Sequence, residues 1–127
     1  MDDTLQWPAA AELLRLLGHP LRLALLSELS RGPKCVTDIR ELLEAPQANI
    51  SQHLAVLRKA RLVDCHEHGN LRCYYLLRPG LVRDLLRFLG RKYSPVPKTP
   101  AQVKRAAQAR QRRTARAQCA VKTPAGR

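Results

Sequence analysis

The sequence predicts a mainly α-helical chain with one small β-hairpin, and three observations carry that reading. Apolar residues recur at helical spacing in five segments before Tyr93. After Arg61 the spacing changes to alternation, in "LVDCHEHGNLRCYYLL". Glycines and prolines fall at the ends of these segments, where they start or stop regular structure.

The first helix is "PAAAELLRLLGH", where Leu13, Leu14, Leu16 and Leu17 gather on one broad face. "PLRLALLSELSRG" repeats the pattern with Leu21, Leu25, Leu26 and Leu29. Gly18 ends the first helix, Pro20 suits the first turn of the second, and Gly32-Pro33 stops it. A short amphipathic helix, "TDIRELL", follows through Ile39, Leu42 and Leu43. Pro46 is tolerated only at a helix start and opens "PQANISQHLAVLRKA", in which Ile50, Leu54 and Leu57 keep i, i+4, i+7 spacing. Two strands then join around His68-Gly69-Asn70, read as a three-residue loop whose Gly and Asn supply positive φ. The last helix, "GLVRDLLRFLGRK", stacks Leu81, Leu85 and Leu89 with Val82, Leu86 and Phe88.

Charge divides the chain. Met1 to Tyr93 carries 14 Lys and Arg against 10 Asp and Glu, a net of +4, whereas Ser94 to Arg127 has nine basic residues and no acidic one. Residues 1–93 are expected to form one folded domain and 94–127 a basic tail. The tail has three prolines near its start and almost no large apolar side chain, so disorder is expected, with "AQVKRAAQARQRRTARAQ" turning helical on a polyanion. No apolar run is long enough to span a bilayer, and "MDDTLQWPAA" lacks the layout of a signal peptide. A cytoplasmic protein with reduced thiols is therefore expected. No Gly-rich phosphate loop, nucleophile with base or carboxylate pair stands out, which argues against an enzyme.

Two short helices joined by a tight turn, then a hairpin, make a helix-turn-helix with a wing. The second of these helices must then present a surface suited to a major groove. Opposite Ile50, Leu54 and Leu57 it offers Ala48, Gln52, Ala55 and Lys59, with Asn49 and Ser51 on the shoulders. No acidic residue occurs between Gln47 and Arg61. Amides, a hydroxyl and small side chains can read base edges, while cations meet phosphates. The candidate DNA contacts are Gln47, Ala48, Asn49, Ser51, Gln52, His53, Arg58 and Lys59, with Arg72 near the hairpin tip.

The segments "LLGHPLRLALLSEL", "CVTDIRELL", "ISQHLAVLRKARLV" and the glycine-containing hairpin ending "YYLL" resemble the ArsR/SmtB family of metal-responsive repressors, over roughly residues 9–90. The most specific piece is S-x-H-L at Ser51 to Leu54, which members carry on the recognition helix. The resemblance implies a homodimeric winged helix-turn-helix repressor that a metal or metalloid releases from its operator. It also implies a dimer interface on the first and last helices, with Leu13, Leu17, Leu81, Leu85 and Leu89 as candidates. A symmetric dimer calls for an imperfectly palindromic double-stranded operator.

Cys35 matches the first cysteine of the family's C-V-C-D-L metal box, but Thr37 stands at the second thiol position. Near a helix N-terminus Cys35 is expected to favour the thiolate. With a three-residue loop, Cys65 and Cys73 face each other across the hairpin; with two residues they part to different faces. In winged proteins a short strand before the helix pair joins the hairpin sheet, which would bring Cys35 toward it. Cys35, Cys65 and Cys73 are thus the candidate ligands; no cofactor is expected for DNA binding itself, and the expected inducer is As(III), Sb(III) or another thiophilic metal ion, because these prefer sulfur. Cys119 on the tail is a weaker candidate. The zinc site that some members of the resembled family carry on the last helix is rejected, since that helix offers Asp84 without histidine, and a His/Cys zinc set in "DCHEH" is a weak candidate, since alternation splits His66 and His68 from Cys65 and Glu67. Two alternatives remain open: the same repressor sensing oxidants or reactive sulfur through Cys35 and a partner thiol, or a nonspecific architectural DNA-binding protein dominated by its basic tail.

Overall fold

The computed structural model describes residues 6–122, so Met1–Leu5, including two of the acidic residues, and residues 123–127 of the tail lie outside the described residues. The order of elements is α1 (Trp7–Leu17), α2 (Pro20–Leu29), β1 (Lys34–Cys35), α3 (Val36–Leu43), α4 (Gln47–Lys59), β2 (Val63–His68), β3 (Leu71–Leu76), α5 (Pro79–Gly90) and α6 (Pro100–Lys122). This is a winged helix-turn-helix. Met1–Arg91 and Lys92–Arg127 form two separate compact units.

The first unit closes around Leu25 and Leu26 of α2, Ile39 of α3, Ile50, Leu54 and Leu57 of α4, Leu62, Val63 and Val82, all fully buried. Each burial of such a side chain contributes about 1.5–3 kcal/mol. The triplet at i, i+4, i+7 on α4 is what docks this helix, since α2 and α3 both pack on it. Between α3 and α4 the chain turns at Glu44, which takes the left-handed conformation at φ 50°, and at Pro46, the N-cap of α4. Helix α2 starts on an N-cap of a different kind: His19 Nδ1 accepts from the Leu21 amide at 3.1 Å.

The sheet is antiparallel in the order β1-β3-β2. The hairpin turn is one residue shorter than expected: His68 pairs with Leu71, leaving Gly69-Asn70 as a two-residue connection. Gly69 sits at φ +63°, where a side chain would be strained, and Asn70 is not among the positive-φ residues. Because side chains alternate faces with period two, this single residue decides that His66, not Cys65, faces Cys73 across the hairpin.

The second unit departs from expectation. Residues 100–122 form an α-helix rather than a disordered tail. A reciprocal cap holds its start: the Thr99 amide donates to Gln102 Oε1 at 2.9 Å and the Gln102 amide donates to Thr99 Oγ1 at 3.2 Å. That is the capping box T-x-x-Q, with Pro100 in the first turn. No helix among the described residues is long and apolar enough to cross a membrane.

Candidate nucleic-acid interface and thiol pair

Burying Ile50, Leu54 and Leu57 turns the opposite flank of α4 to solvent. Ala48, Asn49, Ser51, Gln52, Ala55, Arg58 and Lys59 are all exposed there. Between α4 and the wing lies a cleft of about 390 Å³ lined by Ser51, Ala55, Arg58, Lys59, Arg72 and Tyr74. The helix and the hairpin thus share one concave surface lined by three cations and two hydroxyl-bearing residues, which suits a phosphate backbone passing between them.

Several of these cations are lightly held. Arg58 Nε donates to Asp64 Oδ1 and Arg72 Nε to Glu67 Oε1, each at 3.1 Å and well exposed. The Asp64 carboxyl lies below the usual carboxylate range because the Cys65 amide donates to it, with Arg58 adding to the effect. Exposed pairs of this kind contribute little and are screened by salt, so either arginine can exchange its carboxylate for a phosphate. Gln47 is exposed, and its amide oxygen accepts from Arg40 Nη1 at 3.2 Å, tying the start of α4 to α3.

His53 does not join this face. Its Nδ1 accepts from Arg22 Nε at 3.1 Å, and its ring lies 4.2 Å from that of His19, centroid to centroid. Arg22 also donates to the Leu16 carbonyl at 3.0 Å. Burial first, then the neighbouring His19 and Arg22, lower the His53 pKa and keep its ring neutral. His53 is therefore a positioning residue that fixes α4 against α2. Its partner Arg22 lies 31 residues away, and nothing in the local sequence signals the contact.

The sheet separates the cysteines. Cys35 on β1 pairs directly with Cys73 on β3, and the next residue across the row is His66 on β2. The Sγ atoms of Cys35 and Cys73 are 2.6 Å apart, in half-buried positions. Cys65 stands opposite Tyr74 in the adjacent row, on the other face, and packs against the core. The expected facing of Cys65 and Cys73 is thus corrected by the two-residue turn. Cys119 lies exposed on α6. Among the described residues no group of three or more His, Cys, Asp or Glu is placed to hold a metal ion. His66 instead stacks on Tyr75 at 5.3 Å.

Cys35 is the N-cap of α3, yet its side chain makes no capping hydrogen bond. The expected thiolate bias is reversed. The hydrogen bond with Cys73 pushes the Cys35 thiol up to about 11 from 9.0, helped by desolvation and by the charges Cys73 and Asp38 would present. Cys35 is therefore a protonated thiol at neutral pH, with its sulfur in contact with that of Cys73. Two soft donors this close fit a thiophilic ion or a two-electron oxidant.

The proposed dimer faces divide in the same way. Leu17 is buried in the chain's own core, so it is not available to a partner. Leu13, Leu81 and Leu85 are half-buried against that core, and Leu89 is exposed. Trp7 and Leu14 on α1 and Phe88 on α5 are more exposed still; Leu14 and Phe88 belong to the apolar faces legible in the sequence, and Trp7 lies outside them.

Comparison with known proteins gives a consistent result. The profile described as bacterial regulatory protein, arsR family, matches residues 19–64. An uncharacterized HTH-type transcriptional regulator of Methanocaldococcus jannaschii is 37% identical over 73 residues, which are 57% of this chain and 82% of that protein. The HTH-type transcriptional repressor SmtB of Mycobacterium tuberculosis is 38% identical over 68 residues, 54% of this chain, and the chain spans only half of that repressor's length. Among solved structures, the transcriptional repressor BigR from Xylella fastidiosa superposes with a TM-score of 0.59 at 27% identity, covering 68% of this chain and 91% of that one.

Proposed function

The chain belongs to the arsR family of bacterial regulatory proteins, and from that membership we propose that it is a homodimeric, cytoplasmic transcriptional repressor. It binds an imperfectly palindromic operator through α4 and the wing. A thiophilic metalloid, As(III) or Sb(III), releases it by binding Cys35 and Cys73. The observation that carries the DNA-binding half is the exposed, acid-free flank of α4 facing a cationic cleft shared with Arg72.

In this reading Asn49, Ser51 and Gln52 reach base edges, Ala48 and Ala55 meet thymine methyls, and Arg58, Lys59 and Arg72 hold phosphates. Dimerisation uses the outer faces of α1 and α5, where Leu14, Phe88 and Leu89 are exposed beside Leu13, Leu81 and Leu85. The inducer site is sulfur-only, which selects soft ions over hard ones. Cys35 joins β1 to the first turn of α3, so a ligand there acts on the element that carries α4. A ligand shifts the DNA-bound equilibrium only by binding the two states unequally.

A second reading rests on the same sulfur contact. A two-electron oxidant such as peroxide can convert the two thiols to a disulfide, the peroxide being reduced to two waters. Operator-release titrations separate the readings. Metalloid induction is expected to persist under anaerobic reductant and to vanish in Cys35→Ser and Cys73→Ser, with Cys65→Ser still inducible. Release that occurs only with oxidant and is reversed by reductant would replace the metalloid reading. Full induction of both Cys35→Ser and Cys73→Ser would remove the dithiol from either.

A further inference from the structure

The helix α6 has no role in the repressor just described. It runs 23 residues from Pro100 to Lys122, and at 1.5 Å per residue it is about 34 Å long, close to one turn of duplex DNA. No acidic residue follows Asp84 in the chain. None of the ion pairs among the described residues involves α6.

The cations are not scattered evenly. At about 100° per residue, Arg105, Arg112 and Arg116 fall within roughly 40° of one another, and Lys104 and Arg113 flank that line. All five are exposed. Arg105 and Arg116 are eleven residues apart, about 16 Å along the axis. Arg110 is also exposed but lies about 140° from that line, and the rest of the surface is Ala, Gln and Thr, with Val103 the single large aliphatic side chain between Thr99 and Gln118.

This composition limits the partner. A helix that docks on a protein groove needs apolar anchors at i, i+3, i+4 and i+7, and a helix that lies in a membrane surface needs a bulky apolar face. Neither is present. A guanidinium line on a short-residue background suits a row of phosphates. The helix is also covalently tied to a unit with a DNA-reading face, which keeps it at high effective concentration near duplex phosphates. The connector from Arg91 to Thr99 has nine residues and can reach at most about 30 Å.

We propose that α6 is a second DNA-binding element, a phosphate clamp whose Arg105, Arg112 and Arg116 hold the duplex backbone beside the site read by α4. It adds affinity without adding sequence preference, because phosphate contacts carry no base information.

The test uses the full chain with Arg105→Gln, Arg112→Gln and Arg116→Gln together, beside the corresponding triple Lys variant. Affinity for the operator fragment and for an unrelated duplex of equal length is measured between 50 and 200 mM salt. Each lost phosphate contact makes the log–log salt slope shallower by about 0.9, so three contacts change it by about 2.7 per arm. Over that fourfold salt range the wild type should therefore lose about 40-fold more affinity than the Gln variant for each arm that engages the duplex, on both duplexes. The Lys variant is expected to keep the wild-type slope, and circular dichroism should show α6 unchanged in both. A Gln variant with the wild-type slope overturns the proposal, as does a slope change shared by the Lys variant. The inference does not depend on operator recognition: should the wild type show no operator preference, the slopes on unrelated duplex still decide it.

Discussion

Replacing Cys73 by alanine should make Cys35 more reactive, although it removes the thiol beside it. The Cys35 thiol is held at about 11 chiefly by its hydrogen bond with Cys73, against 9.0 for the ordinary group. At pH 7 that difference of about two units suppresses the thiolate roughly 100-fold. A less basic thiolate is also a weaker nucleophile, with a Brønsted slope of about 0.4–0.5, which returns a factor of about 8. Desolvation and Asp38 still act on Cys35 in Cys73→Ala, so the net expectation is faster alkylation of Cys35 by at most about 10-fold. Iodoacetamide labelling at pH 7 under reductant, followed by peptide mass spectrometry, measures this directly, with Cys65 as the internal reference. Because Cys73→Ala removes no core contact, the fold should persist. Equal or slower labelling of Cys35 would refute the hydrogen-bonded dithiol.

Other consequences are as direct. Gln52→Ala should weaken operator binding by about 1–3 kcal/mol while leaving affinity for unrelated duplex unchanged, as read by fluorescence anisotropy. Leu14→Glu should yield a monomer in sedimentation velocity and lose operator affinity, because it places a charge on the exposed face of α1 assigned to the partner subunit. His53 has a folded pKa below the usual value, so protons bind the unfolded chain first. Stability is then complete above about pH 6.5 and falls as the pH drops toward the lowered folded value. Thermal melts at pH 7.5 and 5.5 should show that loss in the wild type and a smaller one in His53→Gln. A matching loss in both would place the pH dependence elsewhere.

The periodic parts of the fold were legible because periodicity is a direct image of burial. Ile50, Leu54 and Leu57 lie three and four residues apart and are all fully buried, which fixes the exposed flank of α4 without further information. Legibility failed where one residue or one distant contact decides. Counting His68 into the loop put Cys65 opposite Cys73, whereas its pairing with Leu71 puts His66 there, and Cys73 meets Cys35 across its other edge, on β1. Strand β1 has two residues, too few for any alternation, and only likeness to winged proteins anticipated it. The link from Arg22 to His53 spans 31 positions and leaves no local trace. For α6 the signal was present in "TPAQ", where Thr99 and Gln102 cap each other, but the low apolar content of the tail outweighed it. Composition speaks to whether a segment can bury a core, and a capped Ala/Arg helix needs none.

The central claim is that the acid-free flank of α4 enters a major groove. Hydroxyl-radical footprinting and missing-base interference on the protein's own promoter, with reduced and metal-free chain, address it most directly. The account predicts two protected half-sites about one helical turn apart, with base interference lost at a single position in each half when Gln52 becomes alanine. Uniform protection with no positional interference, unchanged by that substitution, would contradict it.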